Sequence, residues 1–200
     1  MGKTVIINAL PRAPKSNSRR YAQLLAQHCP TPTQYLEARP TNYPALRSAI
    51  EEAEGVVLVF PLYADSIPAT LLNFLKHLQQ NPTFNKPAVS VLVNCGFIEP
   101  RQNNVAVQQV QLFCSQCGYP FGAVLKVGSG EVILDTPFKG LVEAKVKQFA
   151  TAIATGQSAE YQVCMPLPKR VFLAAAKRYW LQRGRQNGLT RQQMKTQQIE

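Results

Sequence analysis

Short apolar runs alternate along this chain with stretches whose apolar residues recur every three or four positions. The runs are Val5-Ile6-Ile7, a weaker Thr33 to Leu36, Val56 to Phe60 opened by Gly55, Ala88 to Val93, and Phe121 to Val127. Continuous β-branched runs of this length suit strands covered on both faces. Between them, Tyr21, Leu24, Leu25 and His28 fall at helical spacing, and Pro30 and Pro32 end that helix. Tyr43 to Ala53 reads as a short helix, and Leu71, Leu75 and Leu78, with Leu72 and Phe74, as another. Asn104 can cap a helix with an apolar face of Ala106, Val110, Phe113, Cys114 and Cys117. Phe138, Leu141, Val142, Val146, Phe149 and Ile153 give one more, ended by Gly156. Strand and helix thus alternate five times, which predicts an α/β fold: a doubly wound, five-stranded parallel sheet.

In such a sheet, ligands bind beyond the carboxyl ends of the strands, where strand order reverses. The loops after the first, third and fourth strands therefore carry the candidate chemistry. The first contains Arg12, Ser16, Asn17 and Ser18 and leads into a helix N-terminus, a ready phosphate cradle, although a plain helix cap reads the same way. The second is Pro61-Leu62-Tyr63-Ala64-Asp65-Ser66-Ile67-Pro68, a stiff connection that presents an aromatic ring. The third opens Asn94-Cys95-Gly96-Phe97; Gly96 permits close backbone approach, and Phe97 offers a second aromatic surface.

Together these loops resemble the flavodoxin-like NAD(P)H-dependent FMN reductases. Ala9-Leu10-Pro11-Arg12 followed by Ser16-Asn17-Ser18 is similar to that family's G-S-P-R…S-N-[ST], with Ala9 and Leu10 in place of Gly and Ser. Pro61-Leu62-Tyr63 with Ser66-Ile67-Pro68 matches its P-x-Y…S-x-P, and Asn94 to Asn103 is similar to one branch of it. The resemblance spans roughly residues 4–156. It implies FMN, with the phosphate against Arg12, Ser16, Asn17 and Ser18. The isoalloxazine would lie between Pro61, Leu62, Tyr63 and Ala64 on one side and Asn94, Cys95, Gly96 and Phe97 on the other. It also implies NAD(P)H as co-substrate, hydride transfer through the flavin to a small-molecule or protein acceptor, and a homodimer. No catalytic side chain is named, because the flavin carries the chemistry. A non-enzymatic flavin electron carrier and a scaffold protein without FMN are the alternatives; the basic charge speaks against the carrier.

Composition narrows the setting. Hydrophobic residues make up 46% and charged residues 16%, a globular balance. No apolar run approaches the ~20 residues of a membrane-spanning helix, and Met1 to Ile7 does not read as a signal peptide, so a cytoplasmic location is the expectation. Of five cysteines, Cys114 and Cys117 form a C-x-x-C. It reads either as a redox pair or as two small apolar residues on a buried helix face. Its place late in a helix, beside Gly118, favours the second.

The net charge of +11 is uneven. Residues 161–200 hold eight Lys or Arg and one Glu, a net of +7, leaving +4 for residues 1–160. The expected division is an FMN-binding domain over 1–160 and a basic helical extension over 161–200. Within 165–185, Phe172, Ala175, Ala176 and Tyr179 share a helical face, with Leu173 and Trp180 beside it. Packing on its own domain or a second subunit is the simplest role. Peripheral contact with an anionic membrane is another; no motif supports nucleic acid.

Overall fold

The structure, a computed structural model, describes residues 2–9 and 16–195. Six strands form one parallel sheet: β1 (Thr4–Asn8), β2 (Thr33–Glu37), β3 (Gly55–Pro61), β4 (Ala88–Asn94), β5 (Phe121–Val127) and β6 (Glu160–Val163). Their order is β2-β1-β3-β4-β5-β6. The helices are α1 (Asn17–His28), α2 (Tyr43–Glu51), α3 (Ala69–Gln80), α4 (Asn104–Cys117), α5 (Lys139–Ala154) and α6 (Lys169–Gln186).

The five strands expected from the sequence are therefore six. The addition, Glu160-Tyr161-Gln162-Val163, pairs with β5 in register from Val124↔Glu160 to Val127↔Val163. Only Val163 of its four residues is buried, so it lacks the continuous apolar run that marks the inner strands. β1 shows the contrast, with Val5, Ile6 and Ile7 all fully buried.

Alternation along the strands sorts the helices. Val5, Ile7, Leu58, Phe60, Val91 and Val93 join a cluster with Leu46 and Ile50 of α2, Leu71 and Phe74 of α3, and Ala106 and Val110 of α4. Side chains one position along a strand point to the opposite face. There α1 packs against α5, through helices whose buried residues include Tyr21, Leu25, Val146 and Phe149. Right-handed crossovers that step one way from β1 to β2 and the other way from β2 through β5 place α1 and α2–α4 on opposite faces.

The Cys114 and Cys117 pair lies on α4, both thiols free and Cys114 fully buried. Burial pushes the Cys114 thiol up to about 12, which removes it from thiolate chemistry. The chain divides into two compact units, one ending at Met165 and one beginning at Pro166.

Candidate functional site

Strand order reverses at β1, which lies between β2 and β3. The carboxyl rim of the sheet at this point gathers the loops that the sequence singles out. Arg12 and Leu10 lie outside the described residues. Ala9 is fully buried, and its N–H donates to the Val59 carbonyl at 2.9 Å.

The candidate phosphate-binding end is the start of α1. Ser16 is its N-cap, and its Oγ accepts from the Arg19 N–H at 3.2 Å. The first helical N–H groups, those of Asn17 and Ser18, have no intrahelical acceptor. The first turn carries no acidic residue, so the positive end of the helix dipole is uncompensated there. The basic residues that follow are engaged elsewhere. Arg20 grips Asp135 at 2.9 and 2.6 Å, and Arg19 lies 4.0 Å from Glu37. The Arg20 guanidinium holds the Asp135 carboxyl below the usual carboxylate range.

Asn94, the last residue of β4, ties three elements together. Its Nδ2 donates to Ser18 Oγ and to the Phe60 carbonyl, each at 3.2 Å. Its own carbonyl accepts from the Leu62 N–H at 2.8 Å. Asn94 and Ser18 are both buried. One side chain thus couples the α1 N-terminus to the ends of β3 and β4. A planar amide supplies the two donors needed, and an apolar side chain of that size would leave both acceptors unpaired.

The loop after β3 turns sharply. Tyr63 and Ser66 exchange backbone hydrogen bonds at 3.0 and 2.9 Å, and the two residues between them, Ala64 and Asp65, have φ of 45° and 57°. Positive φ at two successive non-glycine residues stores backbone strain. Gln109 of α4 holds the turn in place, its Oε1 accepting from Ser66 Oγ and the Ile67 N–H, both at 3.0 Å. Tyr63 stands 42% exposed above it. Pro61 closes β3 as its last residue.

The loop after β4 pairs a buried thiol with an exposed ring. The Cys95 Sγ receives a hydrogen bond from Asn103 Nδ2 at 3.4 Å and donates to the Phe97 carbonyl at 3.8 Å. Burial holds this thiol above its ordinary range, so it acts as a neutral link in the loop. Phe97 is 51% exposed.

Sequence reasoning missed a fourth contributor. Gly128-Ser129-Gly130 reads along the chain as a strand terminator, yet it is threaded into the same rim. Ser129 N–H donates to the Phe97 carbonyl at 2.5 Å and Gly130 N–H to the Cys95 carbonyl at 2.7 Å. A Cβ on Gly130 would sit 2.8 Å from the Asn94 Cβ, and one on Gly128 would run into the Ile98 carbonyl. Both glycines are therefore demanded by close approach of the β5 loop to the β4 loop. From α1, the Tyr21 hydroxyl donates to the Gly130 carbonyl at 2.8 Å, and Asn17 Nδ2 to the Glu131 carbonyl at 3.2 Å. Ser129 has φ 55° and is fully buried, with its Oγ unpartnered. The only early signal was a Gly-x-Gly after a buried strand, which is not specific.

These residues fit a phosphorylated planar group. A helix N-terminus with no acidic residue in its first turn suits the charge, and two exposed aromatic rings, Tyr63 and Phe97, stand on the loops after β3 and β4.

Comparison with known proteins gives the fold and the family. No curated protein sequence matches the chain. Among solved structures it is similar to an oxidoreductase from Corynebacterium diphtheriae: TM-score 0.61, 14% identity, covering 78% of this chain and 96% of that one. It is also similar to an NAD(P)H:quinone oxidoreductase from Methanothermobacter marburgensis: 0.59, 15% identity, 74% of this chain and 94% of that one. An azoreductase from Bacillus anthracis gives 0.52 and 16% identity, over 78% of this chain and 100% of that one. At these identities the likeness establishes a flavodoxin-like fold. Residues 3–115, more than half of the chain, match the family model described as NADPH-dependent FMN reductase. That segment contains the loops after β1, β3 and β4, and the chain belongs to the NADPH-dependent FMN reductase family, as an NAD(P)H-dependent flavin oxidoreductase that uses FMN.

Proposed function

We propose that the rim residues hold FMN with its phosphate on the N-terminus of α1 and its ring system between the loops after β3 and β4. The reduced flavin would then pass electrons to a small planar acceptor of the quinone or azo type. The observation that carries this reading is Asn94, which locks Ser18, Phe60 and Leu62 into one rim. Arg12, Ser16, Asn17 and Ser18 take the phosphate: the helix offers free N–H groups and the Ser and Asn side chains add donors. Pro61, Leu62, Tyr63 and Ala64 border the ring on one side. Asn94, Cys95, Gly96 and Phe97 border it on the other.

When bound, FMN supplies acceptance of hydride from the nicotinamide and delivery of electrons to the acceptor. The chain's own residues orient and select. The strained Tyr63–Ser66 turn, held by Gln109, fixes the aromatic ring of Tyr63 at the mouth of the site. Phe97 presents a second exposed face, and flat conjugated molecules are selected by such surfaces. The quinone and azo classes come from the similar structures named for those activities, and the exposed aromatic pair supports them here.

The test is direct. The purified protein, loaded with FMN, is mixed anaerobically with NADPH and then with a benzoquinone or an azo dye. Bleaching followed by return of the visible bands is expected. Failure to take up FMN would overturn the binding reading; bleaching that neither acceptor reverses would overturn only the acceptor class.

Self-association is part of the proposal. Val105 and Leu112 stand half exposed on α4, and sedimentation at equilibrium would show whether two chains associate.

A further inference from the structure

We propose that α6 binds the anionic surface of a lipid bilayer, lying in the interface with its aromatic and aliphatic side chains toward the acyl chains. The helix runs eighteen residues, Lys169–Gln186, about 27 Å at helical rise. It contains Lys169, Arg170, Lys177, Arg178, Arg183 and Arg185 and no carboxylate of its own. At a hundred degrees per residue, Phe172, Leu173, Ala175, Ala176, Tyr179 and Trp180 share one side. Arg170, Lys177, Arg178 and Arg185 share the other with Val171 and Leu181, while Lys169 and Arg183 fall on the apolar side.

The C-terminal part of that apolar side is organised locally. The Tyr179 and Trp180 rings meet edge to face, with centroids 5.3 Å apart. Arg183 donates to the Tyr179 hydroxyl from Nε at 3.2 Å and Nη2 at 3.1 Å. An aromatic pair with a guanidinium at its polar end suits a headgroup boundary, where one part of the side chain is apolar and the other wet. Leu173 and Trp180 are each more than half exposed. The helix is too charged to cross a membrane, and no helix among the described residues is long and apolar enough to do so.

Charge selects the occupant. A basic helix with no carboxylate in its own sequence complements anionic headgroups, and its apolar residues give those contacts depth. A nucleic-acid phosphate backbone would satisfy the basic half alone and leave Phe172, Leu173 and Trp180 without a role. The proposal does not depend on the flavin site, and its readouts involve neither FMN nor a nicotinamide.

Trp180 is the only tryptophan in the chain, so its emission reports on α6. The intact protein is titrated with vesicles of phosphatidylcholine alone and of phosphatidylcholine with phosphatidylglycerol in equal parts. Trp180 emission is expected to move to shorter wavelength with the anionic vesicles only, and about 0.5 M salt is expected to reverse it. Replacing Lys177→Gln and Arg178→Gln together is expected to weaken binding about thirty-fold, since each surface cation contributes about five-fold. Replacing Phe172→Gln and Leu173→Gln, which leaves the charge unchanged, is expected to weaken it at least about ten-fold. Lys76→Gln with Lys147→Gln, exposed residues of α3 and α5, is expected to change nothing; thermal unfolding of each variant checks folding. Equal loss from the Lys76 and Lys147 pair would overturn the proposal, because overall charge would then suffice. So would an equal shift with neutral vesicles, or a shift with a single-stranded oligonucleotide and none with anionic vesicles.

Discussion

The rim of the sheet and the segment after Met165 solve opposite problems with polar side chains. At the rim, Ser18, Asn94 and Asn103 are buried and bonded within the molecule. In α6 the only buried residue is Gly184, and its cations have no carboxylate in the same helix to answer them. A region whose polar groups largely satisfy one another, Asn103 Oδ1 and Ser129 Oγ excepted, can hold a fixed shape for a ligand. A region rich in charge of one sign acts through what it meets. The two should therefore respond differently to substitution: the rim in stability and cofactor affinity together, α6 in surface binding alone.

Asn94→Ala is the most damaging way to test the first half of that contrast. It strips donors from two buried acceptors and opens a gap at the junction of three elements. A loss of roughly 2–4 kcal/mol is expected, read as a lower urea midpoint with an unchanged slope, together with weakened FMN uptake. If stability fell and FMN affinity did not, the rim would be only a structural joint.

Gly130→Ala comes next. Its new Cβ would press on Asn94 at 2.8 Å, and overpacking of this kind costs about 1–3 kcal/mol. Flavin affinity should fall with it, since Asn94 would have to move. Stability lost with affinity intact would show that the β5 loop is not coupled to the site.

This loop also marks where sequence reasoning stops. The alternation of β-branched runs and helical spacing revealed five strands, because burial on both faces leaves a largely apolar signature in β1, β3, β4 and β5. β6 escaped because an edge strand of four largely exposed residues has none. The loops after β1, β3 and β4 were readable because prolines, an aromatic and a Ser-Asn-Ser run depart from ordinary linker composition. Gly128 to Gly130 was not readable: its importance lies in what its backbone touches across the sheet, at Asn94, Cys95 and Ile98. The same holds for Gln109, an ordinary polar helix residue until the Tyr63 turn is placed against it. Nor does the sequence show that Arg19 and Arg20, early in α1, are paired with Glu37 and Asp135.

Tyr63→Ala and Phe97→Ala probe selection without touching the frame. Both side chains are roughly half exposed, so unfolding should shift by no more than about 0.5 kcal/mol. The expected effect is a raised KM for a quinone or azo acceptor, with NADPH-dependent bleaching retained. Loss of bleaching would place these rings on the nicotinamide side instead. The Phe172→Gln and Leu173→Gln pair in α6 should likewise leave the unfolding midpoint within about 0.5 kcal/mol, and a larger loss would mean that this helix is packed as core.

The smallest effect is read in acid. Arg20 lowers the pKa of Asp135, and Lys126 lowers that of Glu160, chiefly through direct hydrogen bonds. Lys126 is buried and reaches Glu160 at 2.5 Å and Asn104 at 2.8 Å. A carboxylate with a depressed folded pKa binds protons less readily than in the unfolded chain. Its contribution is therefore complete above the usual carboxylate range and is lost as pH falls through the folded value. Both carboxylates are about half exposed or more, so solvent screening holds each contribution to about 1 kcal/mol or less. Glu160→Gln should flatten the acid limb of the stability profile slightly. An unchanged acid limb in Glu160→Gln would mean that Lys126 is satisfied by Asn104 alone, and that the edge strand is held by backbone pairing rather than by the buried Lys126 of β5.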